Sequence, residues 1–271
     1  MTDQSVYEMM NHDPLHQKHI VLGVTGSISC YKALEIASKL VQAGAYVDVA
    51  LTQNATEFIR PLAFKALTNR QPYVNMFDLN AKDGESHVEL ARRCDAMLIA
   101  PLTATTLAKL SHGMADDFVA LTALATDRPL LVAPAMDSQM WMNPATQDNV
   151  KSLIQRGVQI IGPVEGRLAS GRVGAGRLVE PIDIVDELRY RLGRDLGDLS
   201  SLKVVVTAGG TREAIDPVRY LGNRSTGKMG YAIAKAAKEY GGKVTLISGP
   251  VHIDKISGLK HLDVQSADEM K

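Results

Sequence analysis

Three places where an apolar run gives way to a helix-period stretch gather residues suited to holding a charged ligand. The first run, residues 20–24, leads into Thr25-Gly26-Ser27-Ile28-Ser29. A glycine-containing turn there lets backbone N–H groups and a helix N-terminus face an anion, and the hydroxyls of Ser27 and Ser29 add donors. The loop is neither GxGxxG nor a Walker A sequence, because no GK[ST] ends it. A Gly-Ser cap after a strand is also ordinary structure. A second turn, Pro101-Leu102-Thr103-Ala104-Thr105-Thr106, and a third, Ala133-Pro134-Ala135-Met136-Asp137, follow apolar runs as well. Ligands of open α/β sheets collect outside the carboxyl ends of the strands, so three such ends predict a pocket. Thr103 and Asp137 each read equally as a plain helix cap. His87, in Ser86-His87-Val88-Glu89-Leu90 at the start of an expected helix, has a side chain that titrates near neutrality. Alone it reads as a general base or as a packed or surface histidine.

These junctions require a parallel sheet to position them. Apolar runs at 20–24, 46–51, 96–100, 130–133 and 158–161 alternate with helix-period segments, the punctuation of βαβ units. The runs are apolar almost throughout, so they read as strands buried on both faces and covered by helices. The first part of the chain is therefore expected to be doubly wound α/β. Between residues 162 and 181 the segment EGRLASGRVGAGRL is too polar for a core and too ordered in its spacing for a linker, which makes it a candidate flap. A helix is expected from 182 to about 194, and GDLSSLK marks a linker near residue 200. The pattern then restarts, with a strand at 203–207, a Gly/Thr/Pro loop, a helix from about 226 to 240 and a strand at 244–248. Residues 201–271 hold fewer strands than a doubly wound domain uses, so the second domain reads as cut short. The expected division is an N-terminal arm at 1–19, a first domain at 20–195 and a partial second domain at 201–271.

Composition excludes several classes. The chain has 271 residues, 45% apolar and 22% charged, the balance of a soluble globular protein with a substantial core. Lys+Arg and Asp+Glu both number 30, which leaves no electrostatic footprint for nucleic acid or an anionic membrane. An anionic ligand must then be held by local groups. Cys30 and Cys94 lack metal spacing and are too few for a disulfide scaffold. Cys30, on the helix behind the first loop, reads as a small buried side chain. No window approaches the roughly 20 apolar residues of a membrane span, and the first 19 residues are not signal-like. The expected compartment is the cytoplasm, where the sequons at Asn54 and Asn223 carry no weight.

Five segments, in order and spacing, resemble the flavin-dependent cysteine decarboxylases, that is, the phosphopantothenoylcysteine decarboxylases and their lantibiotic-processing relatives. They are GVTGSIS, the His87 step, APLTATTLAKLSHGMADD, APAM at 133–136 and the flap ending Gly174-Ala175-Gly176-Arg177. Behind them, VVVTAGGTREAIDPVRYLGNRSTGKMG resembles the start of phosphopantothenate–cysteine ligase, which bacteria commonly fuse behind that decarboxylase. The resemblance implies a flavodoxin-like doubly wound parallel sheet followed by the start of a second, Rossmann-like α/β domain. It implies FMN as cofactor, with Gly26, Ser27, Ile28, Thr52, Pro101, Thr103 and Thr106 around it. His87 matches the catalytic histidine, Ser170 stands at a catalytic position of the flap, and Ala135, Met136, Asp137 and Arg177 match substrate contacts. In the ligase-like part Asn223 matches a residue associated with an acyl-cytidylate, and Ser225, Thr226, Gly227 and Lys228 resemble a nucleotide loop for CTP, with Mg2+ as its companion. A small-molecule substrate and a homotrimer, or a dodecamer built from trimers, are implied, with FMN and His87 near subunit boundaries; no metal is implied for the decarboxylase.

The implied reaction oxidises the cysteinyl moiety of 4′-phosphopantothenoylcysteine to a thioaldehyde, releases CO2 and reduces the enethiol. Two positions depart from the usual pattern: Asp137 stands where Asn is usual, and Ser170 where Cys is usual. An Asn amide can donate to a substrate carboxylate, whereas an ionised Asp repels it unless paired, and Arg167, Arg172 or Arg177 could supply the pairing. A thiol is also a far better proton donor than an alkyl hydroxyl. The two departures are expected to belong to one alternative site in which decarboxylation survives and the final reduction uses another proton source. If Lys271 is the true end of the chain, no ligation of phosphopantothenate to cysteine is expected. The competing readings are a flavin-binding regulatory subunit without turnover, which the presence of His87 opposes, and a flavin prenyltransferase, which the ligase-like segment opposes. A nicotinamide dehydrogenase is opposed by the lack of GxGxxG.

Overall fold

The computed structural model describes residues 13–76, 87–196, 199–256 and 258–271. The chain forms two compact units, Met1–Leu188 and Arg189–Lys271. The division falls inside a helix, Pro181–Leu196, ahead of the linker read near residue 200.

In the first unit five parallel strands, β1 (His19–Val24), β2 (Tyr46–Leu51), β3 (Ala96–Leu102), β4 (Leu130–Pro134) and β5 (Gln159–Ile160), lie in the order β2-β1-β3-β4-β5. This is the flavodoxin-like order, with the switch point between β1 and β3. The apolar runs fall where two-sided burial demands: all seven residues of β3 and five of six in β1 are buried. Asp48 in β2 is the exception, 3% exposed, and its carboxylate is held by Arg70 at 3.0 Å and Arg93 at 2.9 Å, as a buried charge requires.

The helices of this unit are α1 (Cys30–Gln42), α2 (Gln53–Thr56), α3 (Pro61–Thr68), α4 (His87–Arg93), α5 (Ala104–His112), α6 (Phe118–Ala125), α7 (Ser138–Met142), α8 (Pro144–Gln155) and α9 (Pro181–Leu196), the last continuing into the second unit. Helix α1 buries Ala33, Ile36, Ala37 and Leu40, the three-and-four spacing of one apolar stripe. Leu15 is fully buried, and the Gln17 N–H donates to the Gly44 carbonyl at 2.9 Å, so the described end of the expected arm is packed against the turn between α1 and β2. The expected flap is an antiparallel hairpin of β6 (Val164–Arg167) and β7 (Val173–Arg177).

The second unit holds a parallel sheet ordered β12-β11-β8, from β8 (Lys203–Ala208), β11 (Lys243–Ser248) and β12 (Lys260–Asp263), with α10 (Lys228–Glu239) crossing between the first two. Its core is Val206, Ala208, Tyr231, Ala234, Ala237, Val244 and Leu246. The segment read as a loop contains a further antiparallel pair, β9 (Arg212–Ala214) and β10 (Tyr220–Gly222). Each of its strands has only three residues and β10 is exposed throughout, too short for a period-2 pattern to register. A last short helix, α11, spans Ala267–Met270. Among the described residues no helix is long and apolar enough to cross a membrane.

Candidate active site

The loop after β1 is tied to the end of β3 by a buried hydroxyl. Thr25 Oγ1 donates to the Pro101 carbonyl at 2.7 Å and accepts from the Thr103 N–H at 2.9 Å. Pro101 and Leu102 belong to β3 rather than to the turn after it, so Pro101 acts here through its carbonyl. Thr103 caps α5, accepting from the Thr106 N–H at 3.3 Å, and the two hydroxyls lie 3.3 Å apart. The capping reading is thus realised for Thr103. Gly26 presses on the turn after β2: a Cβ there would come 2.6 Å from Asn54 Cβ. Beside that turn, Thr52 Oγ1 is buried without a hydrogen-bond partner, and a buried hydroxyl left unpaired at a strand end is a costly arrangement that a ligand can relieve. Helix α1 begins without a side-chain cap, whereas α5, α6, α7 and α8 are capped by Thr103, Asp117, Asp137 and Asn143. Its Cys30 and Lys32 N–H groups donate to the Ser27 and Ser29 carbonyls, at 2.9 and 3.0 Å, so the loop and the helix N-terminus form one unit.

A cleft of about 720 Å³ opens beside this loop, lined by Ser27, Ile28, Ser29, Tyr31 and Lys32 on one side. Ala135, Met136 and Asp137 from the turn after β4 line it too, with Arg167–Ser170 and Gly176–Leu178 from the flap. The flap is pinned to the turn: the Met136 N–H donates to the Gly176 carbonyl at 3.0 Å. Gly176 has φ +138°, and a Cβ on it would lie 2.2 Å from the Met136 carbonyl oxygen, so only glycine fits.

The two unusual residues meet. Ser170 Oγ donates to Asp137 Oδ2 at 3.0 Å, while Asp137 Oδ1 accepts from the Gln139 N–H at 3.0 Å. The Gln139 N–H and then the Ser170 hydroxyl, with the Arg172 charge behind them, hold the Asp137 carboxyl below the usual carboxylate range. Of the three arginines considered as its counter-charge, Arg172 acts on it; Arg177 pairs instead with Glu180. Glu180 also takes Lys32 at 2.9 Å, and Lys32, then Arg177, keep its carboxyl below the usual range. Burial pushes the Cys30 thiol up, and its Sγ donates to the Thr25 carbonyl at 3.1 Å, as expected of a packed side chain rather than a nucleophile.

The cleft therefore unites Ser27, Ile28, Ala135, Met136, Asp137, Ser170 and Arg177. Gly26, Thr52, Pro101, Thr103 and Thr106 lie outside its lining, in the layer that shapes the strand ends. His87 also lies outside the lining; it is the first residue of α4 and is half-buried, and Ser86 before it falls outside the described residues. Lys32 was missed by sequence reasoning. Its signal was available: a cation in the first turn opposes the helix dipole. In the second unit a pocket of about 390 Å³ is lined by Asn223, Ser225, Thr226 and Lys228 together with Arg212, Tyr220 and His252. Asn223 Oδ1 accepts from the Ser225 N–H at 2.9 Å, an Asx turn. Gly227 caps α10 at φ +78° without a side-chain cap bond. Among the described residues no His/Cys/Asp/Glu cluster is fit for a metal ion.

Comparison with known proteins decides the family, because the flavoprotein family model matches residues 8–193. The chain belongs to the flavoprotein family. The model of the DNA/pantothenate metabolism flavoprotein C-terminal domain matches residues 199–271. Among curated proteins, this flavoprotein is 44% identical over 253 residues to the coenzyme A biosynthesis bifunctional protein CoaBC of Vibrio parahaemolyticus, covering 93% of this chain and 63% of that relative. It thus spans under two thirds of the relative's length. Among solved structures it resembles a cysteine-to-serine mutant of a PPC decarboxylase complexed with pantothenoylaminoethenethiol (TM-score 0.57, 31% identity, 64% of this chain and 97% of that one). It also resembles the FMN binding protein AtHal3 (TM-score 0.56, 31% identity, 64% and 96%).

Proposed function

We propose that the first unit is an FMN-dependent decarboxylase that converts 4′-phosphopantothenoylcysteine to 4′-phosphopantetheine in coenzyme A biosynthesis. The second unit is the beginning of a CTP-dependent phosphopantothenate–cysteine ligase. The observation that carries this reading is the convergence of the Ser27–Ser29 loop, the Ala135–Asp137 turn and the glycine-rich flap on one cleft, in a chain similar to a coenzyme A biosynthesis bifunctional protein and to a PPC decarboxylase.

The residues present fit FMN. An uncapped helix α1 with the Ser27 and Ser29 hydroxyls beside it suits the phosphate, and the orphaned Thr52 hydroxyl offers a further polar contact. When bound, the flavin supplies the two-electron chemistry that decarboxylation needs. Thr25 keeps the two flavin-side loops in register. The flap and the Ala135–Met136 backbone enclose the cysteinyl end and exclude water. His87 accepts the substrate's thiol proton. The assembly in this reading is a homotrimer, or a dodecamer of trimers, in which one subunit's histidine serves its neighbour. Ser170, whose hydroxyl proton is committed to Asp137, is a poor donor to an enethiolate, so the last proton comes from elsewhere. In the second unit Asn223, Ser225, Thr226, Gly227 and Lys228 would hold CTP, and Mg2+ would offset the charge of its phosphates. The working compartment is the cytoplasm.

The test is His87→Asn in the FMN-loaded protein. The reading expects unchanged flavin content and loss of CO2 release; CO2 release at the wild-type rate would remove His87 from the chemistry. A second reading, a flavin-binding regulatory subunit without turnover, is favoured by the Asp137–Ser170 bond, and it expects no CO2 from either form.

A further inference from the structure

Lys32 sits where helix electrostatics disfavours it, in the first turn of α1, and is only 9% exposed. A buried ammonium needs a compensating charge, which Glu180 provides. Yet Glu180 also pairs with Arg177, so one carboxylate serves two cations. Arg167, at the end of β6, lines the same cleft, and its side chain makes no ion pair or hydrogen bond among the described residues. Across the cleft Asp137 has both oxygens engaged, by Gln139 and Ser170, with Arg172 as its nearby cation. Of the charged residues that line the cleft, three are cations, Lys32, Arg167 and Arg177, and one is a carboxylate, Asp137; Glu180 behind them pairs with two of the cations, and Arg172 stands beside Asp137. This local excess of positive charge occurs in a chain whose formal net charge is zero.

We infer that Lys32, Arg167 and Arg177, with Glu180 positioning the first and last, form a subsite in the flap-side wall for an anionic oxygen group of the substrate, a phosphate or a carboxylate. A desolvated ammonium and two guanidinium groups are suited to such a group by charge and by fork geometry. The excess charge also offsets the repulsion that Asp137 would exert on an anionic substrate. This inference rests on the decarboxylase reading and adds to it the residues that recognise charge.

The experiment uses the FMN-loaded full chain and isothermal titration with three ligands: pantetheine, which has neither anion, phosphopantetheine, which has the phosphate, and pantothenoylcysteine, which has the carboxylate. The wild type is expected to prefer at least one anionic ligand over pantetheine by about tenfold or more, and the preferred one identifies the group bound. Arg167→Gln, an exposed position, and Lys32→Gln are each expected to cut that preference about five- to tenfold, with pantetheine affinity unchanged. An unchanged preference in both variants overturns the inference and leaves flavin-dependent turnover untouched. A parallel titration of the flavin-free protein compares FMN with riboflavin. If Lys32→Gln weakens FMN alone while substrate preference holds, the cations serve the flavin phosphate and the inference fails. Absence of binding by all three ligands to the loaded wild type overturns the inference together with the decarboxylase reading.

Discussion

Replacing Gly176 by Ala should detach the flap from the turn after β4 while leaving the sheet intact. The new methyl would lie 2.2 Å from the Met136 carbonyl oxygen and 3.3 Å from the Asp137 carbonyl carbon, and backbone atoms cannot rotate away. The φ of +138° adds strain of about 1–3 kcal/mol for a residue with a Cβ. Losing the Met136 N–H bond to the Gly176 carbonyl removes about 0.5–1.5 kcal/mol more. Together these weaken flap docking by about 1.5–4.5 kcal/mol, or roughly 10- to 2,000-fold in its equilibrium. Native-state hydrogen exchange at the Met136 amide reads this directly, because that amide is protected only while the flap is docked. Gly174→Ala is the control: its Cβ would meet Ser138 Oγ at 2.7 Å and Ser138 Cβ at 3.0 Å, where the hydroxyl can turn aside and the Cβ must give by only a few tenths of an ångström, so less than about tenfold is expected. Wild-type protection in Gly176→Ala, or equal damage from both substitutions, would refute the reasoning.

Other consequences follow from the same contacts. The Asp137 carboxyl is held below its ordinary value, so its contribution to flap docking is present above about pH 4 and is lost as pH falls through the lowered pKa. Flap protection should therefore decline in acid in the wild type and not in Asp137→Asn; parallel acid profiles would contradict this. Thr25→Val removes the acceptor of the half-buried Thr103 N–H, and an unsatisfied donor there should lower stability by about 1–2 kcal/mol in urea unfolding, whereas an unchanged midpoint would deny the hydroxyl its role in joining the loops. Ser170→Cys places a stronger acid in the flap, so the ratio of saturated thiol to enethiol product, read by mass, should rise; a wild type that already yields only the saturated thiol would refute the premise.

The sheet was legible because two-sided burial writes itself as uninterrupted apolar runs, and all five first-unit runs match strand positions within two residues at either end. β5 is shorter than its run, two residues rather than four. The β9–β10 pair and β12 were not legible, since short exposed strands carry no periodic signal. At the site, local chemistry was readable and long-range pairing was not. The Gly-Ser loop, the Ala135–Asp137 turn and the flap each announced themselves by composition. The bond between Asp137 and Ser170 joins positions 33 residues apart, and only the folded chain reveals that two unusual residues are one pair. Lys32 and Glu180, 148 residues apart, are hidden in the same way. Thr103 and Asp137 turned out to be helix caps, so residues suggested by a ligand-binding pattern also serve the local backbone.

The most direct test of the account is anaerobic mixing of the FMN-loaded protein with 4′-phosphopantothenoylcysteine, following the flavin absorbance and identifying products by mass. The account predicts a transient or lasting loss of oxidised flavin absorbance together with CO2 release and an enethiol or saturated thiol product. Oxidised flavin that stays unchanged beside intact substrate would contradict it and favour a regulatory flavin-binding subunit.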